Sequence, residues 1–209
     1  MYKKILFILV IYLFPFTLPA QQNAGDSSQS KWSFSTSGYY YFIPNDNNTF
    51  TLIGYADHEA LHLEARYNYE DQNTASVLAG WRFETGGKLQ FGATPMAGIA
   101  FGNTNGVIPA LELDATYKIF DFYSESEYLF DFSGKESNFF YIWSELAVSP
   151  VDALRTGISI QRTRLYQTAF DTQRGIFAEY SFWKLTAGTF YFNPFSSADF
   201  VIVSLSVDF

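Results

Sequence analysis

Cysteine is absent from this 209-residue chain. That excludes a disulfide framework, a thiolate metal centre and a lipid-modified cysteine anchor. Basic residues are scarce, 13 Lys and Arg against 21 Asp and Glu, for a formal charge of −8. An acidic chain does not suit nucleic acid or anionic phosphate surfaces. There is no glycine-rich phosphate loop, and histidine occurs only at His58 and His62. The one long apolar run, Ile5 to Phe14, is shorter than the ~20 residues of a spanning helix, and no other segment can be one. What the chain holds in excess is aromatic side chains, 20% of its residues. A soluble core of this size has no need of so many, whereas aromatic girdles at two membrane interfaces would use them.

The amino-terminal residues read as a secretory signal peptide. Met1-Tyr2-Lys3-Lys4 is a short basic start, the apolar run follows, and Thr17-Leu18-Pro19-Ala20 leads to a cut before Gln21. Residues 1–20 are therefore expected to be a leader. Residues 21–30 are small and polar, a flexible lead-in, and 31–209 form one domain.

From Lys31 onward the chain repeats one unit, an alternating segment of about ten residues followed by a turn. About twelve such segments are expected: 31–43, 48–56, 60–70, 74–84, 88–101, 107–119, 121–132, 138–149, 153–166, 174–183, 185–193 and 200–209. Their connections alternate in character. PNDNN, DQN, NTNG, SGKESN, QTAFDT and PFSSAD look like loops, while the connections between them are tight. Long loops at one end and short turns at the other mark a membrane barrel, and a β-sandwich has no reason to alternate this way. Pro95 and Pro109 each remove a backbone donor inside an expected strand, so a bulge or break is expected at Pro95.

A period of two sorts side chains onto two faces. Leu61, Leu63, Ala65, Tyr67 and Tyr69 share one face, His62, Glu64, Arg66 and Asn68 the other. Val77, Ala79 and Trp81 oppose Ser76, Gly80 and Arg82 in the same way. Mid-strand charges fall almost everywhere on the parity opposite to the apolar stripe. A base on the lipid face at mid-depth costs about 2–4 kcal/mol, so the apolar stripe faces lipid and the charges face a lumen. The second and eleventh segments do not sort. In the last segment Val201, Val203, Leu205, Val207 and Phe209 alternate with Ile202, Ser204, Ser206 and Asp208. This ending resembles the C-terminal signature of Gram-negative outer-membrane β-barrel proteins. The resemblance covers about one strand and identifies a class. It implies an all-β, transmembrane, antiparallel up-and-down barrel in the bacterial outer membrane. It also implies outer-membrane lipid as a neighbour, and recognition of the Val201, Val203, Leu205, Val207 and Phe209 stripe by the barrel assembly machinery.

The inward charges segregate. Glu112, Asp114, Glu125, Glu127 and Glu145 come from three consecutive segments and are expected to form an acidic arc, with Arg66, Arg82 and Arg155 elsewhere on the wall. An acid-lined lumen selects cations, so the reading is a narrow channel for passive passage of small polar or cationic solutes. The alternative is a closed barrel cross-braced by Arg–carboxylate pairs, with an envelope-structural or surface-binding role. An outer-membrane hydrolase of lipid or peptide comes third, because both histidines lie at an expected periplasmic turn. His58-Glu59-Ala60-Leu61-His62 matches the zinc-protease string, but that chemistry needs a helix. On a strand the two histidines lie about 13 Å apart and cannot share a zinc. No metal, cofactor or catalytic residue is assigned. Tyr39, Tyr40, Tyr41, Phe42, Phe139, Phe140, Tyr166, Phe170 and Phe195 are expected in an interfacial aromatic belt at the loop end.

Overall fold

The structure is a computed structural model that describes residues 31–44, 47–165 and 171–209. The expected leader and lead-in, and Tyr166 and Phe170, lie outside the described residues. The strands are β1 (Ser33–Phe42), β2 (Thr49–His58), β3 (Leu61–Tyr67), β4 (Thr74–Trp81), β5 (Phe83–Thr85), β6 (Gln90–Gly102) and β7 (Gly106–Tyr117). They continue as β8 (Phe120–Asp131), β9 (Phe139–Val151), β10 (Leu154–Leu165), β11 (Asp171–Phe182), β12 (Leu185–Phe192) and β13 (Phe200–Asp208). Apart from β4 and β5, which do not pair with each other, all pair antiparallel with their chain neighbours. β13 returns to β1 in register from Ser35↔Asp208 to Tyr41↔Ile202 and Phe42↔Val201. Both β4 and β5 pair with β6, so together they make one stave, and the wall closes as a 12-strand barrel. Closure gives every stave two neighbours, the only way a sheet can cross lipid without an unpaired edge.

The connections sort by end. Beside the first residue of β1 and the last of β13 lie the two-residue turns 59–60, 118–119, 152–153 and 183–184. Glu59, Lys118 and Trp183 open three of them at positive φ, the left-handed geometry a tight reversal demands. The longer connections lie at the opposite end. We call the two the turn end and the loop end.

The outer surface carries the apolar stripe. Leu52, Val77, Ile99, Leu146, Ile158 and Leu205 are exposed at mid-strand. Exposed aromatics collect at the strand ends: Trp32, Phe34, Trp81 and Phe182 at the turn end, Phe42, Phe50, Phe101 and Phe130 at the loop end. This is the pattern of a membrane barrel, a hydrocarbon band between two girdles.

Three expectations are corrected. β6 runs unbroken through Pro95, and the interruption lies in the facing stave. Gly80↔Met96 and Phe83↔Ala93 are paired, while Trp81 and Arg82, opposite Pro95 and Thr94, are not. Pro95 has no amide to donate, and Arg82 N donates instead to Ala60 O at 2.7 Å. Pro109 acts similarly on its β8 side, where the ladder skips from Val107↔Phe130 to Ala110↔Glu127. Tyr69 does not face lipid. β3 ends at Tyr67, and Tyr69 sits in the following turn with its ring inside the barrel. Tyr39 and Tyr41 likewise leave the expected belt, because the parity of β1 turns them inward, while Tyr40 and Phe42 stay outside.

Candidate functional site

The interior is built from side chains that the period of two turns away from lipid. At its centre is Arg66, whose guanidinium is almost wholly buried. Its Nη2 lies 2.5 Å from Glu125 Oε1 and its Nη1 2.9 Å from Glu127 Oε2, while Nε donates to Glu64 Oε2 at 2.5 Å. Tyr69 lies under the cation, 4.3 Å from ring centroid to Cζ, and its hydroxyl donates to Glu125 Oε2 at 3.0 Å. Glu70, in the turn after β3, accepts from Ser76 Oγ at 2.5 Å, and burial raises its carboxyl above the ordinary range. Forked, charge-assisted bonds of this kind hold a buried guanidinium in one pose.

Beside this brace stands His62. Its Nδ1 lies 2.6 Å from Asp57 Oδ1 and its Nε2 2.9 Å from Glu64 Oε1 and 3.8 Å from Glu112 Oε2. The cross-strand partner of His62 on β4 is Gly80, which has no side chain to stand between them. A Cβ there would meet Met96 Cγ at 2.5 Å and Thr94 Cγ2 at 3.0 Å. Tyr123 donates its hydroxyl to Glu112 Oε1 at 2.7 Å.

Two further braces sit toward the turn end. Arg155 bonds Asp121 and Glu145 at 2.6 Å and Glu179 at 2.8 Å, and stacks over Phe177 at 4.9 Å. It lies at the register shift between Leu154 and Thr156 where β10 meets β9, and a bulge re-aims the side chain it carries. Arg82, at the break between β4 and β5, bonds Glu84 and Asp114 at 2.5 Å. Two of the three arginines therefore project from irregularities in the wall.

Two apolar clusters fill much of the rest of the interior. Phe177, Phe190, Phe192, Phe200 and Ile202 form one cluster with Ala147, the phenyl rings of Phe192 and Phe200 stacked at 5.1 Å. Leu78, Met96, Ala100, Ile108 and Leu129 form another across the barrel. Between them Tyr69 meets Tyr141 edge to face at 5.7 Å. A cavity of about 390 Å³ remains, lined by six tyrosines, Trp143, Asp57, Glu112, Glu125, Glu145, Glu179 and Arg155, among others.

Glu112 and Glu125 are cross-strand partners and line the cavity with Glu145, while ion pairs divide the acids among different partners. Glu125 and Glu127 go to Arg66, Glu145 to Arg155, Asp114 to Arg82, and Glu112 faces His62. His58 and His62 end on opposite faces, His58 stacked outside on Trp32 at 4.9 Å, so the zinc-protease string has no site. The C-terminal stripe lies on the outer face, with Val203, Leu205 and Phe209 exposed. The reading from sequence turned Tyr141 inward but missed Asp57, Asp121 and the other five cavity tyrosines. It also missed the aromatic filling, because the inward face of β12 carries Phe190 and Phe192 where a polar lumen was expected.

No family model and no curated protein matches the sequence. Solved structures do match. KdgM porin aligns over 84% of this chain and 99% of its own at 14% identity, with a TM-score of 0.61. KdgM porin in complex with disordered oligogalacturonate gives 0.62 at the same identity and coverage. NanC porin in a rhombohedral crystal form gives 0.53 at 8% identity, over 84% of this chain and 98% of that one. At these identities the likeness is one of fold, and the fold is that of an outer-membrane porin.

Proposed function

We propose that this porin-like outer-membrane barrel passes small polar and cationic solutes through its internal cavity. The supporting observation is how far the cavity follows the wall. Along β1 it is lined by Ser35 near the turn end and by Tyr41 near the loop end, roughly 20 Å of strand at ~3.3 Å per residue. A surface niche would touch one end only. The lining favours cations because, among the described residues, Asp57, Glu112, Glu125, Glu145 and Glu179 share it with one arginine, Arg155. Oligogalacturonate, the ligand of one KdgM structure, is a polyanion that this lining repels. Aromatic rings alternating with acids suit hydroxylated or aminated solutes, which stack and donate hydrogen bonds together.

The test is conductance of the purified barrel in a planar lipid bilayer under a salt gradient. Small unitary currents with a cation-directed reversal potential support the proposal. Anion preference, or passage of oligogalacturonate at the rate of a neutral sugar, would refute it. A second reading, a sealed barrel with a surface or structural role, draws on the Arg66 brace and the Tyr69–Tyr141 contact that cross the interior. Absence of any current from correctly folded protein would favour it.

A further inference from the structure

We propose that His62, Glu64 and Glu112 are the ligands of one divalent transition-metal cation held inside the barrel. This inference stands apart from the passage of solutes and would hold in a sealed barrel as well.

The donor set is the first argument. His62 Nε2, Glu64 Oε1 and Glu112 Oε2 all lie within 4.8 Å of one another, with the imidazole 2.9 and 3.8 Å from the two oxygens. In a tetrahedral site with bonds of about 2.0–2.1 Å, donor atoms stand ~3.3 Å apart. The two imidazole–carboxylate distances lie within about half an ångström of that spacing, and closing of the two carboxylate oxygens, now within 4.8 Å, completes the set. Imidazole with carboxylates is a ligand set for zinc and its first-row neighbours.

The outer partners are the second. Asp57 Oδ1 sits 2.6 Å from His62 Nδ1, the carboxylate–histidine pairing that fixes the tautomer of a metal-bound imidazole. With the ring proton given to Asp57, Nε2 faces two carboxylate oxygens, and either a proton or a metal cation on it would balance them. Tyr123 takes the other oxygen of Glu112 and Arg66 the other oxygen of Glu64. Each carboxylate is thus anchored by one oxygen and free to offer the second.

Surroundings and access are the third. Thr94, the cross-strand partner of Glu112, turns to the same interior a hydroxyl that is fully buried and has no hydrogen-bond partner. A coordinated water is the kind of group that would satisfy it. Gly80 clears the space between His62 and β6. Glu112, Asp57 and Tyr123 also line the cavity, so a fourth coordination position is reached from there, and three protein ligands plus one open position is the pattern of an exchangeable site.

The test uses the full chain folded in detergent, stripped with chelator and titrated with Zn²⁺ alone. One equivalent should bind, and Co²⁺ in its place should give the visible absorption of a four-coordinate site. His62→Gln and Glu112→Gln should each abolish the spectrum, and Asp57→Asn should weaken binding by about 10–100-fold. His58→Gln removes the other histidine and should leave binding intact. A mobility shift on boiling certifies that each variant is folded; if His62→Gln fails it, Glu112→Gln decides. Absence of stoichiometric binding overturns the site, as does binding that survives Glu112→Gln or disappears with His58→Gln.

Discussion

Arg66 on β3 reaches Glu127 on β8, Nη1 to Oε2 at 2.9 Å, although the β4, β6 and β7 staves separate the two strands along the wall. The contact spans the interior and ties distant parts of the barrel to one buried cation. Removing that cation leaves Glu64, Glu125 and Glu127 buried together without it, and breaking such a pair costs about 3–5 kcal/mol. Arg66→Met should lower the heat-unfolding midpoint read from gel mobility. Arg82→Met should stay within about 1 kcal/mol, since its partners Glu84 and Asp114 are well exposed. Equal effects would mean that the brace is not what holds the interior.

Phe192 is fully buried between Phe200 and Trp143 on the loop side. Phe192→Ala should destabilise by about 3–5 kcal/mol and at the same time enlarge the unitary current. Loss of stability with unchanged current would place the passage elsewhere.

On the proposed function, the acids that line the cavity should set the sign of its selectivity. Protonation removes their negative charge, so cation preference should weaken as pH falls through the carboxylate range, and the reversal potential should move toward zero. Glu112→Gln combined with Glu125→Gln should reproduce part of that change at neutral pH. A reversal potential indifferent to both would remove these carboxylates from the selectivity.

Leu205 is exposed midway along β13, and Ser204 beside it is buried inside. Leu205→Arg should cost about 2–4 kcal/mol in a bilayer. Phe209→Ser leaves the wall pairing of β1 with β13 untouched, because the contact of Phe209 with β1 is a backbone bond, N to Phe34 O at 2.9 Å. It should nevertheless reduce the amount of barrel assembled in cells, measured as heat-modifiable protein in the outer membrane. Unchanged assembly would detach Phe209 from recognition by the assembly machinery.

The wall was readable from sequence because lipid enforces a strict rule. Charge parity put His62, Glu64 and Arg66 inside and Leu61, Leu63 and Ala65 outside, as found. The rule fails where both faces are apolar. β12 could not be sorted, since Phe190 and Phe192 face inward opposite Leu185 and Ala187. β2 failed for the same reason, with Ile53 buried and Leu52 outside. Partners were unreadable for a different reason. Which arginine meets which acid depends on strand stagger around the barrel, and no single strand carries that information. The break at Arg82 shows the same dependence, for its cause is Pro95 on the neighbouring strand.

Tyr69 and Tyr141, meeting edge to face, and Arg66 with its glutamates make a partition of side chains within one closed wall. On one side of it Leu78, Met96, Ala100, Ile108 and Leu129 press together, and on the other β1, β2 and β9 to β11, with Glu112, Tyr123 and Glu125, border the free volume. Sequence drift in the two compartments is then answerable to different demands. Changes in the first are constrained by durability, whereas those in the second can alter which molecules the barrel tolerates without loosening the wall.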